Sequence, residues 1–236
     1  MSRGWKILLG TLVLLVVLLG AAFAVDRYLV AQTEAQLEDE ITTSVPELSG
    51  DIDVEIGGLL FLPQVLMGRL DDVRFTSASA TYQDLTFQDV DVRLLGVSTG
   101  EPRTIDDLDL RMTLPVETLQ AALASSEDVP EGVGIDVVDG QLVATASLLG
   151  LPVTVGLEPV ANGNAISVTP VSFSIGGASV AAEDIPGNLL GDLGGMDVPI
   201  EQLPEGVELT EVTVVDGGVQ VAIVGSDLAL DDLAVG

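Results

Sequence analysis

The sequence predicts an α+β protein, an early helix followed by many short antiparallel strands. A helical pattern occupies residues 26–44, apolar alternation recurs along most of the remaining chain, and two Asp-Gly pairs separate apolar runs. The 236 residues include 37 acids against 8 bases, a formal charge of -29, with 47% hydrophobic but only 3% aromatic residues. The core must therefore be built from Leu, Val, Ile and Ala. There is no Cys and no His. That excludes disulfides and thiolate metal sites, and removes the commonest general base and metal ligand. So acidic a chain is a poor nucleic-acid partner, because neutralising phosphates takes clustered Lys and Arg.

Ile7 to Val25 is an uncharged run of 19 residues, ILLGTLVLLVVLLGAAFAV. As a helix it would be about 28 Å long, close to the hydrocarbon thickness of a bilayer. Arg3 and Lys6 precede it, on the side that the positive-inside rule keeps cytoplasmic, and Trp5 and Tyr28 sit at the two expected interfaces. Residues 1–25 read either as a transmembrane anchor or as a signal peptide cut after Ala22-Phe23-Ala24. Both readings export residues 26–236 to the cell envelope or periplasmic side, with membrane contact through residues 7–25. A Cys-free chain suits an oxidising compartment.

Asp26 to Ser44 places Val30, Leu37 and Ile41 on one helical stripe, and Pro46 ends the helix. Asp51 to Ile56 alternates strictly, so Ile52, Val54 and Ile56 point inward while Asp51, Asp53 and Glu55 form a solvated face. No glycine-turned Ca²⁺ loop accompanies those carboxylates. Gly57 to Gly68 (GGLLFLPQVLMG) is apolar all round, with Pro63 suited to the first turn of a short helix. It is expected to be a buried core segment; the other reading is that it lines a pocket or dips into lipid.

Strands follow. Val73 and Phe75 start one. In the next, the apolar phase flips near Gln88-Asp89, where a β-bulge would restore the inward face. A second slip is expected between Ile105 and Leu108. Repeated slips suit a strongly curved sheet. Pro115 to Ala124 reads as a short helix with Val116, Leu119 and Leu123 on one face. An internal repeat relates Pro130-Glu131-Gly132-Val133 to Pro204-Glu205-Gly206-Val207, and Val137-Val138-Asp139-Gly140 to Val214-Val215-Asp216-Gly217, at offsets of 74 and 77. Each copy reads as turn, strand, tight hairpin, strand. The Gly-rich stretch Gly187 to Gly195 has no Lys or Arg and makes a poor phosphate cradle.

Catalysis finds little support. Gly96-Val97-Ser98-Thr99-Gly100 matches the nucleophile elbow G-x-S-x-G, but no His can take the serine proton and the only Lys is Lys6. The acid pairs Asp71-Asp72, Asp106-Asp107, Glu183-Asp184 and Asp231-Asp232 do not converge by themselves, because adjacent strand residues face opposite ways. The expectation is a protein that is not an enzyme, with no metal site and no cofactor beyond a bound lipid. Past the apolar run the bases are Arg27, Arg69, Arg74, Arg93, Arg103 and Arg111. Arg69 and Arg74 flank the apolar helix, where they could hold a lipid phosphate or pair with Asp71, Asp72 or Asp91. The acidic field repels an anionic surface, so lipid binding must be driven by acyl burial at ~0.8 kcal/mol per CH₂.

Three segments, IDVEIGGLLFLPQVLMGRLDDVRF, QDLTFQDVDVRLLGV and LPEGVELTEVTVVDGGVQVAIVG, follow this membrane-type start and early helix. In that order they resemble the LmeA-like phospholipid-binding family of actinobacterial cell envelopes, over roughly residues 26–233. The resemblance implies a curved antiparallel sheet wrapped around a long N-terminal helix. This is the tubular lipid-binding, BPI-like class, which encloses an acyl cavity. It also implies a non-catalytic envelope protein that binds or transfers phospholipid, phosphatidylinositol included, and supports lipoglycan or envelope assembly. The family's helix and Pro-Gln segment map to Leu59 through Gly68. The candidate lipid contacts are therefore Leu59, Leu60, Phe61, Leu62, Val65, Leu66 and Met67, with Arg69 and Arg74. The alternative is a membrane-anchored structural protein with a solid core. Protein partners are not indicated.

Overall fold

The computed structural model describes the backbone of residues 3–44, 48–82, 85–125, 132–148, 151–181, 196–199 and 203–229. Helix α1 (Arg3–Ser44) runs unbroken from the apolar segment through the predicted helix. Its side-chain surroundings are described from Val17 onward, so residues 7–16 of the predicted span fall outside them. Among the described residues no helix is long and apolar enough to cross a membrane. Gly187 to Gly195 and the acid pairs Glu183-Asp184 and Asp231-Asp232 lie outside the described residues.

Beyond α1 the described residues form two antiparallel sheets and two short helices, α2 (Phe61–Met67) and α3 (Val116–Ser125). The first sheet contains β1 (Leu48–Gly50), β2 (Asp53–Ile56), β3 (Arg69–Tyr82), β4 (Leu85–Ser98) and β5 (Thr104–Pro115), and closes with the last two strands of the chain. The second contains β6 (Gly134–Val138), β7 (Gln141–Leu148), β8 (Leu151–Asn162), β9 (Ala165–Ile175), β10 (Ala178–Ala181) and β11 (Met196–Pro199). With β12 (Val207–Val215) and β13 (Gly218–Ala229), the first sheet runs β1-β3-β4-β5-β13-β12, β2 also pairing with β3. The second runs β10-β9-β8-β7-β6, with β11 on β9. Both orders are open paths.

Hairpin chemistry explains much of this order. Asp139 and Gly140 both take positive φ, 52° and 75°, and join β6 to β7 in the primed turn that matches strand twist. Gly217, at φ 83°, does the same service between β12 and β13. The two repeat copies are thus a terminal hairpin of each sheet. The predicted bulge is present: the β4–β5 register shifts between Gln88 and Asp91, and Asp89 has φ 49°. The second predicted slip shows in the packing, where Ile105 and Leu108 reach the same core cluster from opposite strand parities. Ile105 and Leu108 keep one register with β13, and the irregular backbone is across from them at Asp227, φ 53°.

The sheet does not wrap around α1, as the resemblance implied. The helix lies along the free edge of β2, and the reason is polar. The Val54 and Ile56 N–H groups, pointing away from β3, donate to Glu38 Oε1 at 3.2 Å and Glu34 Oε1 at 2.7 Å. Those carboxylates satisfy an edge that would otherwise need another strand. On its apolar stripe, Val30 joins Val54, Ile56, Phe61, Leu70 and Val73 in one buried cluster, with Leu37 and Ile41 against it. The contact between helix and sheet is filled.

A second cluster closes the other end. Ile105, Val207, Leu209, Val219, Val221, Ile223 and Leu228 of the first sheet pack with Leu142 of the second, and Leu119 of α3 leans on them. The Leu209 N–H donates to the Gly163 carbonyl and ties the sheets together. Ile105 is 1% exposed. Ile105→Ala should lower the unfolding free energy in urea by about 2–5 kcal/mol, the usual result of emptying a closed aliphatic site. A change under 1 kcal/mol would show that this cluster is not a packed core.

Candidate functional site

Strand alternation divides the first sheet into two chemically opposite faces. On the outer face, in-register pairing sets Glu55 beside Arg74, Arg74 beside Arg93, and Arg93 beside Asp109. Two arginines directly opposite one another repel. Diagonal carboxylates resolve the conflict. Arg74 donates from Nε and an Nη to both oxygens of Asp91, at 2.8 and 2.6 Å, and Arg93 does the same to Asp72, at 3.0 and 2.8 Å. Arg93 holds the Asp72 carboxyl below its usual range, and Arg74 does so for Asp91. Both guanidinium groups are in turn shifted upward. Arg111 pairs with Asp109 and Arg69 with Asp106.

Gly96 is required beneath the Arg69–Asp106 pair. Its φ is 65°, and a Cβ there would fall on both of those side chains. Gly96→Ala should therefore cost more than about 1 kcal/mol, read by denaturant unfolding.

The inner face is aliphatic. Phe75, Val92 and Leu110 are consecutive register partners across β3, β4 and β5, and Leu110 faces Ile223 of β13. The row spans about 14 Å at ~4.8 Å per strand. Beside it run Leu94 and Leu108. Phe75, Val92, Leu94, Leu108, Leu110 and Met112 are each only half-buried. Leu94 and Val97 touch both closed clusters. Phe75 packs against the cluster under α1, and Leu108, Leu110 and Met112 pack against the other.

Three depressions open on the surface, of about 340, 490 and 370 Å³, and each is bordered by three or four acids. The first is the ion-pair face itself, lined by Glu55, Asp72, Arg74, Asp91, Arg93, Asp109 and Arg111. The second is lined partly by Leu95, Leu108 and Val224, and α2 lines none of the three.

The apolar helix α2 departs from its expected burial. Phe61 and Gln64 are buried, but Leu59, Leu66 and Met67 are 84%, 86% and 73% exposed, and Leu60, Leu62 and Val65 are exposed to a smaller degree. The helix is held by polar contacts from beneath. Asp26, 2% exposed on α1, accepts the Phe61 N–H at 2.9 Å and the Leu62 N–H at 2.8 Å. A carboxylate there satisfies two of the first-turn donors and suits the positive end of the helix. Gln64 Nε2 donates to the Gly57 and Leu60 carbonyls, and its Oε1 accepts the Asp71 N–H. Gly68 at φ 74° closes the last turn.

The candidate residues therefore separate. Leu59, Leu60, Leu62, Val65, Leu66 and Met67 form an exposed apolar knob, while Phe61 is buried beneath it. Arg74 is engaged by Asp91, a pairing that the sequence left open, and Arg69 by Asp106, a distant partner that it did not name. Ser98 of the G-x-S-x-G segment donates to the Gly100 carbonyl in a turn. Among the described residues no group of three or more acids is placed to hold a metal. The aliphatic row and the Asp26 contact were not singled out by the sequence. Half-buried Leu and Val look like any core residue, and Asp26 meets α2 across 35 positions.

A family model described as LmeA-like phospholipid-binding matches residues 24–223, and the chain belongs to that family. No curated protein and no solved structure matches it.

Backbone bonds from Leu62 and Phe61 hold the Asp26 carboxyl below its ordinary 3.8, with Arg27 adding to them against burial. The charged form is the one the fold binds. Its contribution is complete above the ordinary value and is lost as pH falls through the lower folded one. Asp26→Asn at neutral pH should speed hydrogen exchange at the Phe61 and Leu62 amides and leave those of β12 and β13 unchanged; equal protection in both proteins would contradict the assignment. Arg74→Gln, on the exposed face, should cost under about 1 kcal/mol.

Proposed function

We propose that this chain is a non-catalytic phospholipid-binding protein of the cell envelope. It holds acyl chains against the aliphatic row of the first sheet and presents or transfers lipid during envelope assembly. The observation that carries this reading is the continuous aliphatic row Phe75–Val92–Leu110, each residue half-buried, in a member of a phospholipid-binding family. Each methylene moved from water onto that row contributes ~0.8 kcal/mol. Acyl contact supplies the driving force, because the arginines nearest α2 already hold carboxylates. Headgroup selection is correspondingly weak, and the acidic body disfavours anionic headgroups. Residues 7–25 serve as the membrane segment, retained as an anchor or removed as a signal, and residues 26–236 work on the outer side.

Protein prepared without detergent and exposed to phosphatidylcholine vesicles should carry phospholipid in native mass spectrometry. Val92→Trp and Leu110→Trp fill the row and should reduce the lipid-bound fraction while the circular dichroism stays that of the parent. A lipid-free parent protein would overturn the reading and favour a solid-cored scaffold. Unchanged lipid in both Trp variants would move the acyl site elsewhere.

A further inference from the structure

We propose that α2 is a membrane foot: its exposed face sits in the interfacial layer of a phospholipid bilayer, beside the point where α1 enters. This rests on residues 7–25 being a membrane segment. It is independent of where acyl chains are held.

No charged residue occurs from Gly57 to Gly68. Leu59, Leu66 and Met67 are among the most exposed apolar side chains described. Such a patch on a soluble face is a liability without a partner. Its position names the partner. Asp26, which fixes the first turn of α2, is the residue immediately after the apolar run. Helix α1 is continuous through both, so α2 starts at the level where the run ends. On α1 itself Val17, Leu18, Leu19, Phe23 and Val25 are all at least half exposed. The two apolar surfaces meet at Asp26.

Two neighbours fit the same level. The Arg27 guanidinium lies 5.6 Å from the centre of the Phe23 ring, its apolar stem along the helix and its charge at the end of the run. Tyr28 is exposed one residue further. The occupant is a bilayer with little net charge. A second copy would bring a charge of -29 against -29, and an anionic surface would be repelled in the same way.

The chain has no Cys, so single-Cys variants of the full-length protein can carry one environment-sensitive dye each. Leu66→Cys reports the foot, Leu18→Cys the anchor, and Val138→Cys the exposed β6–β7 hairpin. Each is reconstituted in phosphatidylcholine vesicles containing nitroxide-labelled acyl chains. Dye at Leu66 and Leu18 should shift to the blue and be quenched by nitroxide, while dye at Val138 is quenched by aqueous iodide alone. Quenching by lipid at Leu18, with Leu66 open to iodide, overturns the foot and leaves the anchor. Iodide access at both overturns the anchor and the foot together. Leu66 shielded from both quenchers means a protein covers α2, and that also overturns the proposal. Adding phosphatidylglycerol should not raise quenching at Leu66; a rise would overturn the choice of an uncharged surface. Lipid copurification is measured separately, so failure here leaves the aliphatic row untouched.

Discussion

The pairing register of β3, β4 and β5 is the constraint on which both faces of the first sheet depend. Arg74 lies directly opposite Arg93, and only the diagonal carboxylates Asp91 and Asp72 make that tolerable. A slip of one residue would carry this grid of charges to the inner face and bring Phe75, Val92 and Leu110 out into water. The ion pairs are individually weak, exposed and screened. Their value is in excluding the wrong register. The bulge between Gln88 and Asp91 absorbs the phase error within β4, so the inner row stays aliphatic from β3 to β13.

Helix α1 acts on that sheet through carboxylates. Glu34 and Glu38 finish the edge of β2, and Asp26 starts α2. One helix therefore ends the sheet and sets the position of the apolar knob relative to the long hydrophobic run. Toward β4 and β5 the inner face packs against both clusters and stays half-buried. Aliphatic surface is thus offered in two places, a partly covered row within the fold and an exposed knob beside α1. Both are aliphatic and uncharged.

What could be read from residues alone was whatever has a local period or a local turn. The bulge at Gln88-Asp89 showed as a parity flip, the two Asp-Gly hairpins as turn chemistry, and α2 as a helix because Pro63 stands in its first turn. What could not be read depended on distant partners. A helical Glu34 or Glu38 signals solvent, and only the fold reveals the strand N–H that each accepts. Arg69 and Arg74 looked available because their partners Asp106 and Asp91 are assigned by register, which sequence does not state. The apolar character of α2 argued for burial, since composition does not distinguish a core from a surface made for lipid. The half-buried row was hidden for the converse reason: its Leu and Val residues are those of an ordinary core.

The central claim is that acyl chains lie along the inner face of the first sheet. A phosphatidylcholine with a photoactivatable diazirine in its acyl chain tests it most directly, by irradiating the full-length protein with bound lipid and sequencing the labelled peptides. The account predicts labelling concentrated on residues 75, 92, 94, 108 and 110 of β3, β4 and β5, and little on the charged outer face. Labelling confined to α1 and α2, or absent from β4 and β5, would contradict it.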